Sequence, residues 1–499
     1  MEFFDHLALG AEVALQPHNL FFCLIGALVG TLIGVLPGIG PVATLSILLP
    51  LTFHLEPTSA LIMLAGIYYG AQYGGSTTAI LVNLPGEASS VITCIDGYEM
   101  AKQGRAGAAL AIAALGSLFA GIVATILLML FAPPLASIAL QFGPAEYFSL
   151  MLLGLATAIV LSQGSLLRAF AMVLMGLLLG TIGTDATTGA QRLTFGMIEL
   201  SDGIDFVPVA VGLFAIPEII RNLEFPEARS VVNTKITSIL PTREDLARSW
   251  KAVLRGTGIG SLLGILPGSG ALISSFAAYV AEKRFSKTPD RFGKGAIEGV
   301  AAPEAANNAS AQMSFVPLLT LGIPGSATLA VMAGAMTMQG IRPGPEVMTT
   351  RPDLFWGLIV SMFVGNLMLV IINLPLIGIW VSMLKVPYRL LYLVILVMCC
   401  VGVFTVNSSP FDLVLLCIFS LLGIGLRKWK FEMAPLILAF ILGPLIEEHL
   451  RRAMLISNGD PSVFVTRPIS LVFLVLIVAL IGAVALPQIR KRRDEAVAE

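Results

Sequence analysis

GVLPGIG at residues 34–40 and GILPGSG at residues 264–270 are two copies of one short motif, and each interrupts a long apolar run near its middle. Proline lacks a backbone donor and glycine adopts angles that a regular helix forbids, so the motif should break a helix. Inside a bilayer, a break is tolerated only where the freed backbone groups face protein or a watery cavity. One break alone would favour a simple kink, whereas two matched breaks are typical of a secondary transporter's binding site.

The composition indicates an integral membrane protein. Of 499 residues, 56% are hydrophobic and only 12% are charged, and the mean hydropathy is +0.89. A soluble domain carries roughly 25% charged residues. Apolar stretches of about 20 residues, enough to cross a bilayer core of about 30 Å, recur from end to end. We therefore predict an all-α polytopic membrane protein with about 11–12 transmembrane helices plus two re-entrant or broken Pro-Gly hairpins in two inverted-topology repeats.

Several other classes of protein are excluded by what the sequence lacks. The net charge is −1 and no basic block interleaved with aromatics occurs, so no nucleic-acid partner is expected. The five cysteines and four histidines are scattered without metal-ligand spacing, which argues against disulfides, metal clusters and cofactors. No Ser-His pair, HExxH motif or P-loop is present, so we do not expect an enzyme.

The chain divides into two similar halves. Gly38 pairs with Gly268 at a spacing of 230 residues, and Pro85 pairs with Pro324 at a spacing of 239. The nine extra residues fit the charged loop EKRFSKTPDRFGKG (282–295), and the pattern indicates an internal duplication. The predicted organisation is a first transmembrane repeat at 1–220 (hairpin at 20–53, broken helix at 60–90), a cytoplasmic linker at 221–255, a second transmembrane repeat at 256–446 (hairpin at 256–281, broken helix at 300–338), an extracytoplasmic loop and final transmembrane helix at 447–489, and a cytoplasmic tail at 490–499.

Lys and Arg residues set the predicted orientation. Basic residues flank the second break on both sides, whereas residues 1–101 contain neither Lys nor Arg. Because cytoplasmic loops are enriched in these residues, the second hairpin should enter from the cytoplasm and the first from the opposite face. The loop 447–467 fits least well, since it is placed outside but holds three arginines. If both hairpins instead cross fully, the count rises to about thirteen spans.

Three shorter segments carry local predictions. Residues 1–19 are expected to form an amphipathic helix on the membrane surface, and DGYEMAKQGRAG (96–107) is expected to be a polar turn. Thr242 is a predicted N-cap of a surface helix that precedes the second break.

Polar residues concentrate at two places within the apolar spans. Such residues at membrane depth usually face a bundle interior or a wet path, although Gly, Ser and Thr also pack helices without binding anything. A broken helix offers free N–H groups to an anion at one end and carbonyl oxygens to Na⁺ at the other. Glu87 and Glu304 are either site acids or solvated at span ends. The candidate substrate and ion site comprises Gly38, Gly40, Ser76, Thr77, Thr78, Asn83, Pro85, Gly86, Gly268, Gly270, Asn307, Asn308, Ser310, Pro324, Gly325 and Ser326, with Na⁺ expected near Thr77, Asn83 and Asn308.

At these positions the chain resembles the large membrane subunit of the tripartite tricarboxylate transporters, the TctA family. The resemblance covers both halves and rests on GVLPGIGPVATLSILLPLTF (34–53), YYGAQYGGSTTAILVNLPGE (68–87), GILPGSG (264–270) and APEAANNASAQMSFVPLLTLGIPGS (302–326). It implies a multi-pass secondary transporter of the bacterial inner membrane, with a small membrane subunit of few spans and a periplasmic solute-binding protein that delivers a carboxylate. The family's motif residues map here onto Gly38, Gly40, Thr77, Asn83, Pro85, Gly86, Asn307, Asn308, Pro324 and Gly325.

The resulting functional prediction is a binding-protein-dependent importer of tricarboxylates such as citrate, or of related carboxylates, driven by an ion gradient. The expected coupling ion is Na⁺, with H⁺ as the alternative, and the paired hairpins favour an elevator-type movement. The alternative function is an ion-uncoupled channel or exporter for small organic anions.

Overall fold

The computed structural model describes residues 2–36, 39–162, 165–185, 187–224, 240–266, 270–383 and 388–485. Gly38, Gly268, residues 225–239 of the predicted linker and the predicted tail at 490–499 lie outside these ranges. In chain order the α-helices are α1 (Glu2–Ala14), α2 (Pro17–Gly34), α3 (Pro41–Thr52), α4 (Pro57–Val82), α5 (Val91–Lys102), α6 (Ala106–Ala139), α7 (Pro144–Leu161), α8 (Leu166–Gly180), α9 (Phe206–Ala210), α10 (Ile216–Glu224), α11 (Arg243–Gly264), α12 (Gly270–Phe285), α13 (Glu298–Met313), α14 (Phe315–Leu321), α15 (Ala327–Met338), α16 (Glu346–Thr350), α17 (Pro352–Asn373), α18 (Ile377–Met383), α19 (Tyr388–Asn407), α20 (Pro410–Lys428), α21 (Ala434–Ile456), α22 (Val463–Thr466) and α23 (Pro468–Ala485).

Helices dominate the regular structure, and the prediction of an all-α polytopic membrane protein is confirmed. Short 3₁₀ turns, a π-helical segment at Val211–Ala215 and one small antiparallel hairpin of β1 (Gly183–Thr184) and β2 (Gln191–Arg192) interrupt them. Within the described ranges, five helical segments are long and apolar enough to cross a membrane: Pro17–Gly34, Ala106–Ala139, Phe206–Glu224, Pro352–Asn373 and Pro410–Lys428. The expected total of spans stays a prediction.

A row of glycines joins α2 to α4. The three glycines lie one helical turn apart, and a Cβ on any of them would stand only 2.3–2.4 Å from a backbone carbonyl oxygen of α4. Only glycine allows this approach, because small residues let two helix backbones pack in direct contact. The three contacts are Gly26 with Met63, Gly30 with Ile67, and Gly34 with Ala71.

The same arrangement recurs in the second half, between α11 and α13. A Cβ on the corresponding glycines would stand 2.3–2.6 Å from carbonyl oxygens of α13. The glycines follow those of α2 by 230 positions and their partners follow those of α4 by 239, which are the two spacings of the sequence repeat. The contacts are Gly256 with Ala302, Gly260 with Ala306, and Gly264 with Ser310. This repeated helix pair supports the predicted duplication.

The segment 96–107 was predicted to be a polar turn, and this is wrong. Residues Val91–Lys102 form α5, and Asp96 within it is fully buried. Its Oδ1 accepts hydrogen bonds from the backbone N–H groups of Gly293, Gly295 and Ala296 at 2.8–2.9 Å. The buried carboxylate of Asp96 is tolerated in α5 because the loop before α13 donates hydrogen bonds to it.

Two predicted boundaries also fall inside helices. The helix capped by Thr242 is not a separate surface helix, because α11 runs unbroken from Arg243 to Gly264 and so includes the end of the predicted linker. The Thr242 side chain accepts from the Asp245 N–H at 3.1 Å, as predicted for an N-cap. The predicted loop 447–467 begins as helix, since α21 continues to Ile456.

Candidate functional site

A cavity of about 420 Å³ lies where several helices begin. Gly40 is the N-cap of α3, and Ser326 is the N-cap of α15. Gly270 is the first residue of α12. All three residues line the cavity. The starts of three helices of at least twelve residues therefore face one space, and each start carries unpaired N–H groups and a partial positive charge.

The described residues that line this cavity include no Lys, Arg or His, but they include three glutamates. Glu218 is paired with Arg427 at 2.5 Å and with Arg221 at 3.6 Å. Glu87 and Glu432 are the other two. An anion in this cavity would meet helix N-termini and hydroxyl groups as its donors rather than basic side chains.

The helix break before Glu87 has a defined geometry. Asn83 ends α4 in the left-handed conformation, with φ 58° and ψ 29°. Its counterpart Gly322 ends α14 in the same conformation, with φ 73° and ψ 16°. Asparagine and glycine are the residues that adopt this conformation most readily, so both halves end the helix in the same way. After each break the chain is extended, and Glu87 and Ser326 then occupy equivalent N-cap positions 239 residues apart.

Gly86 must be glycine for a packing reason. A Cβ at this position would stand 2.3 Å from the Cα of Gly75 and 2.7 Å from the carbonyl oxygen of Gly34. The break is thereby held against α4 and the end of α2. Thr78 fixes the same junction, because its hydroxyl donates to the carbonyl oxygen of Val35 at 2.9 Å.

Glu87 belongs to a buried hydrogen-bond chain that joins the two halves. Its Oε1 accepts from Asn307 Nδ2 at 2.8 Å and also from the hydroxyl of Ser89. Asn307 Oδ1 in turn accepts from Gln72 Nε2 at 3.2 Å. Gln72 Oε1 has no hydrogen-bond partner among the described residues. Gln72 and Glu87 both line the cavity, so its wall contains hydrogen-bond acceptors in addition to helix N-termini.

Glu304 forms a second buried centre, on α13. Glu304 is 1% exposed, and its carboxylate accepts hydrogen bonds from Ser76 Oγ at 2.6 Å and from the hydroxyl of Thr93. Asn308 donates to Ser117 Oγ at 2.7 Å one helical turn further along α13. A second, much smaller cavity of about 20 Å³ is lined by Tyr73, Ser76, Thr77, Leu110, Ala113, Ala114, Ser117, Glu304, Asn373, Leu374 and Ile377.

The sequence-predicted site residues are distributed over these features. Five of them line the large cavity: Gly40, Gly270, Pro324, Gly325 and Ser326. Ser76 and Thr77 line the small cavity. Six others hold the surrounding helices, loops or hydrogen-bond chains without lining either cavity: Thr78, Asn83, Gly86, Asn307, Asn308 and Ser310. Pro85 lies in the break between Asn83 and Gly86. Gly38 and Gly268 lie outside the described residues.

The candidate set did not include several polar residues that the structure places at the two cavities. Gln72 and Asn373 are each buried in an apolar helix. A single amide side chain within an apolar run was the sequence feature that could have identified them. Ser117 and Thr93 gave a weaker signal because hydroxyl residues are common in membrane helices. Glu87 and Glu304 are buried acids rather than solvated span ends. In the described part of the chain, no group of three His, Cys, Asp or Glu side chains could hold a metal ion.

Comparisons with known proteins agree with this architecture. A family model described as "Tripartite tricarboxylate transporter TctA family" matches residues 20–438. The chain is 56% identical over 499 residues to the Agrobacterium vitis protein named "Uncharacterized 52.8 kDa protein in TAR-I ttuC' 3'region", covering 100% of this chain and 99% of that relative. It is 54% identical over 240 residues to "Uncharacterized protein in TAR-II ttuC' 3'region" from the same organism, covering 48% of this chain and 99% of that relative. No solved structure matches the chain.

Proposed function

The chain belongs to the tripartite tricarboxylate transporter TctA family, and we propose that it imports small carboxylates through the large cavity, driven by a cation gradient. Family membership makes it the large membrane subunit of a tricarboxylate transporter and a multi-pass membrane protein. The proposal adds the place where the carboxylate binds and the need for a cation. Citrate and related di- and tricarboxylates are the proposed substrates.

The convergence of helix starts on one cavity is the observation that carries this proposal. Each helix N-terminus bears roughly +0.5 of an elementary charge, and α3, α12 and α15 all begin at the cavity wall. A carboxylate binds such termini through backbone N–H groups, as anions do at helix starts generally. The volume of about 420 Å³ lies within the range of roughly 300–1,000 Å³ that small-molecule sites occupy.

The glutamates at the cavity favour coupling to a cation. A di- or tricarboxylate that enters beside Glu87 adds negative charge to a site whose described lining has no basic side chain. Like charges repel strongly at low dielectric, so a cation must accompany the substrate for tight binding. A channel without coupling would gain nothing from this arrangement.

An elevator-type movement of the two hairpin pairs fits the duplicated helix contacts. In this proposal the helices from α2 to α4 and from α11 to α13 move as one unit. Backbone-to-backbone packing at glycine makes two pairs within it rigid, α2 with α4 and α11 with α13. The unit would slide past α19, where a Cβ at Gly402 would stand 2.9 Å from Pro50 Cβ of α3. Pro50→Cys with Gly402→Cys, in a background without the five native cysteines, should form a disulfide that stops transport, once the two helices separate slightly to the Cβ–Cβ distance of about 3.5–4.5 Å that a disulfide needs. Full activity of the oxidised protein would contradict the movement.

The proposed partners are a small membrane subunit and a periplasmic solute-binding protein, and the proposed location is the bacterial inner membrane. The decisive experiment reconstitutes all three proteins in proteoliposomes and measures uptake of radiolabelled citrate and other carboxylates. Uptake that requires an inward Na⁺ gradient and the binding protein is expected. Equal flux without any gradient would instead indicate the uncoupled channel.

A further inference from the structure

The small cavity lies deep in the protein, between α4, α6, α13 and the end of α17. Its volume is about 20 Å³. A cavity of roughly 10–15 Å³ by the same measure holds one water molecule. The space therefore fits one small ion or one water and excludes a carboxylate substrate. It is a different site from the large cavity, with no lining residue in common among those that the structure describes.

The wall of this cavity holds an acidic side chain and, among the described residues, no basic one. Glu304 lies in it at 1% exposure and forms no ion pair within the described ranges. Both carboxylate oxygens are hydrogen-bonded to hydroxyl groups, those of Ser76 and Thr93, and such bonds favour the ionised form of the acid. Among the described residues, Tyr73, Cys94 and Glu87 interact with it electrostatically, and none of them carries positive charge. A buried carboxylate is costly unless a cation compensates it.

Asn373 gives a second, independent indication of a cation. It lines the cavity at 5% exposure, and its Oδ1 has no hydrogen-bond partner among the described residues. Its Nδ2 is fully engaged, since it donates to the carbonyl oxygen of Leu369 at 2.8 Å and to Thr31 Oγ1 at 3.4 Å. The amide is thereby held with its oxygen unsatisfied, and buried acceptors are rarely left so.

We propose that this cavity binds a single Na⁺, held by the carboxylate of Glu304, the amide oxygen of Asn373 and the hydroxyls of Ser76, Thr77 and Ser117. Carboxylate, amide and hydroxyl oxygens are ligands that hard cations prefer. A proton on Glu304 would neutralise the carboxylate but would leave the Asn373 oxygen without a partner. The inference rests on the proposed function, for which it supplies the place of the coupling ion.

A short path connects this ion to the proposed substrate cavity. Ser76 bonds Glu304 on one side, and its hydroxyl also lies 3.1 Å from the carbonyl oxygen of Gln72. Gln72 Nε2 donates to Asn307 Oδ1, and Asn307 Nδ2 donates to Glu87 Oε1 at the large cavity. Na⁺ bound at Glu304 lowers the negative potential along this path, and the carboxylate substrate should bind more tightly as a result.

The test is equilibrium binding of ²²Na⁺ to the purified full-length protein in detergent, without substrate, at constant pH and with choline maintaining the ionic strength. The wild type should bind Na⁺ saturably, and K⁺ should compete poorly. Glu304→Gln and Asn373→Ala should each weaken Na⁺ binding by at least about tenfold, which corresponds to about 1.4 kcal/mol.

Asn366→Ala is the matched control. Asn366 lies on the same helix α17 and is fully buried. Its Oδ1 has no hydrogen-bond partner in the described part of the chain, and its Nδ2 donates to the carbonyl oxygen of Met362 at 2.8 Å. Asn366 does not belong to the described residues that line this cavity, so the Na⁺ affinity of Asn366→Ala should stay within about twofold of the wild type. If Glu304→Gln fails to fold, Asn373→Ala still decides the outcome.

Absence of saturable Na⁺ binding by the wild type, or unchanged affinity in Asn373→Ala, would overturn the inference. Carboxylate counterflow, which needs no ion gradient, distinguishes failure of the proposed Na⁺ site from failure of the proposed transport function. Counterflow that is accelerated by acid and not by Na⁺ would place a proton at Glu304 instead. Sodium binding without any carboxylate counterflow would contradict the proposed substrate and leave the ion site standing.

Discussion

Asn307 Nδ2 donates a hydrogen bond to Glu87 Oε1 at 2.8 Å, although the two residues are 220 positions apart and belong to different halves of the chain. Both residues are at least nine-tenths buried. The contact closes the hydrogen-bond chain between the two cavities. Any movement of one half against the other at this point must break a charge-assisted bond, so the two halves should move together here.

A double-mutant cycle on Glu87→Gln and Asn307→Ala should reveal this coupling. A hydrogen bond to a charged group contributes about 1.5–3 kcal/mol, and we expect an interaction energy of about that size in the free energy of unfolding. Thermal or denaturant unfolding in detergent measures it. Glu87→Gln combined with Asn366→Ala is the control pair and should be additive. Additivity of the first pair as well would show that the contact contributes nothing.

The glycine contacts between α11 and α13 predict opposite outcomes for two neighbouring glycines. Gly260→Ala places a Cβ 2.3 Å from the carbonyl oxygen of Ala306, so the helices must separate and stability should fall by about 2 kcal/mol or more. Gly258, on the same helix, has open space at its Cβ position. Gly258→Ala should be neutral or stabilising by up to about 1 kcal/mol. Equal unfolding midpoints for the two variants would contradict this packing.

The hydrogen bonds between Asp96 and the loop before α13 should protect that loop from proteases. Asp96→Ala leaves three backbone N–H groups without their acceptor. The two buried ones, those of Gly295 and Ala296, each cost about 1–3 kcal/mol, so the loop should be released. Trypsin should then cleave at Lys287, Arg291 or Lys294 several times faster than in the wild type. Asp290→Ala alters an exposed acid in the same loop and should leave the cleavage rate unchanged. Unchanged cleavage in Asp96→Ala would show that the loop is held by other contacts.

Asp185 predicts a pH dependence for the loop that carries β1 and β2. The backbone N–H groups of Thr187 and Thr188, followed by Arg451, lower the pKa of Asp185 to about 2. Because the folded-state pKa lies below the unfolded value of about 3.9, the carboxylate stabilises the loop at neutral pH and loses this effect as the pH falls from about 4 to 2.

Hydrogen–deuterium exchange of residues 183–192 measures the effect of Asp185. Asp185→Asn should exchange faster at neutral pH and should lack the additional acceleration between about pH 4 and pH 2. The exposed Asp202 in the following loop supplies the control, Asp202→Asn. Identical exchange in Asp185→Asn and the wild type would contradict the assigned role.

Much of the fold could be predicted because hydrocarbon imposes strong rules on sequence. The apolar runs predicted the all-α class, and the matched Gly-Pro motifs predicted the breaks that begin at Asn83 and Gly322. Residues 96–107 were misassigned because a buried Asp looks like a turn residue until its partner, the loop at 293–296, is known. That pairing spans about 200 positions and leaves no local signal.

The site was only partly predictable for a similar reason. Gly40, Gly270 and Ser326 belong to the motifs that break helices, and all three line the large cavity. Asn373 lies outside those motifs. Its amide oxygen has no partner among the described residues and it lines the small cavity together with Glu304, which only the packing of α17 against α4 and α6 reveals. Single polar residues in membrane helices are ambiguous until their neighbours are known.

Carboxylate binding at the helix N-termini is tested by comparing citrate uptake by Ser326→Asp and Ser326→Asn in proteoliposomes with an inward Na⁺ gradient. Aspartate and asparagine cap a helix about as well as serine does, so both variants should fold alike. Only the aspartate adds negative charge to the cavity where α15 begins. Uptake should fall at least about tenfold further in Ser326→Asp than in Ser326→Asn, a difference of about 1.4 kcal/mol. Equal uptake by the two variants would contradict carboxylate binding at these helix N-termini.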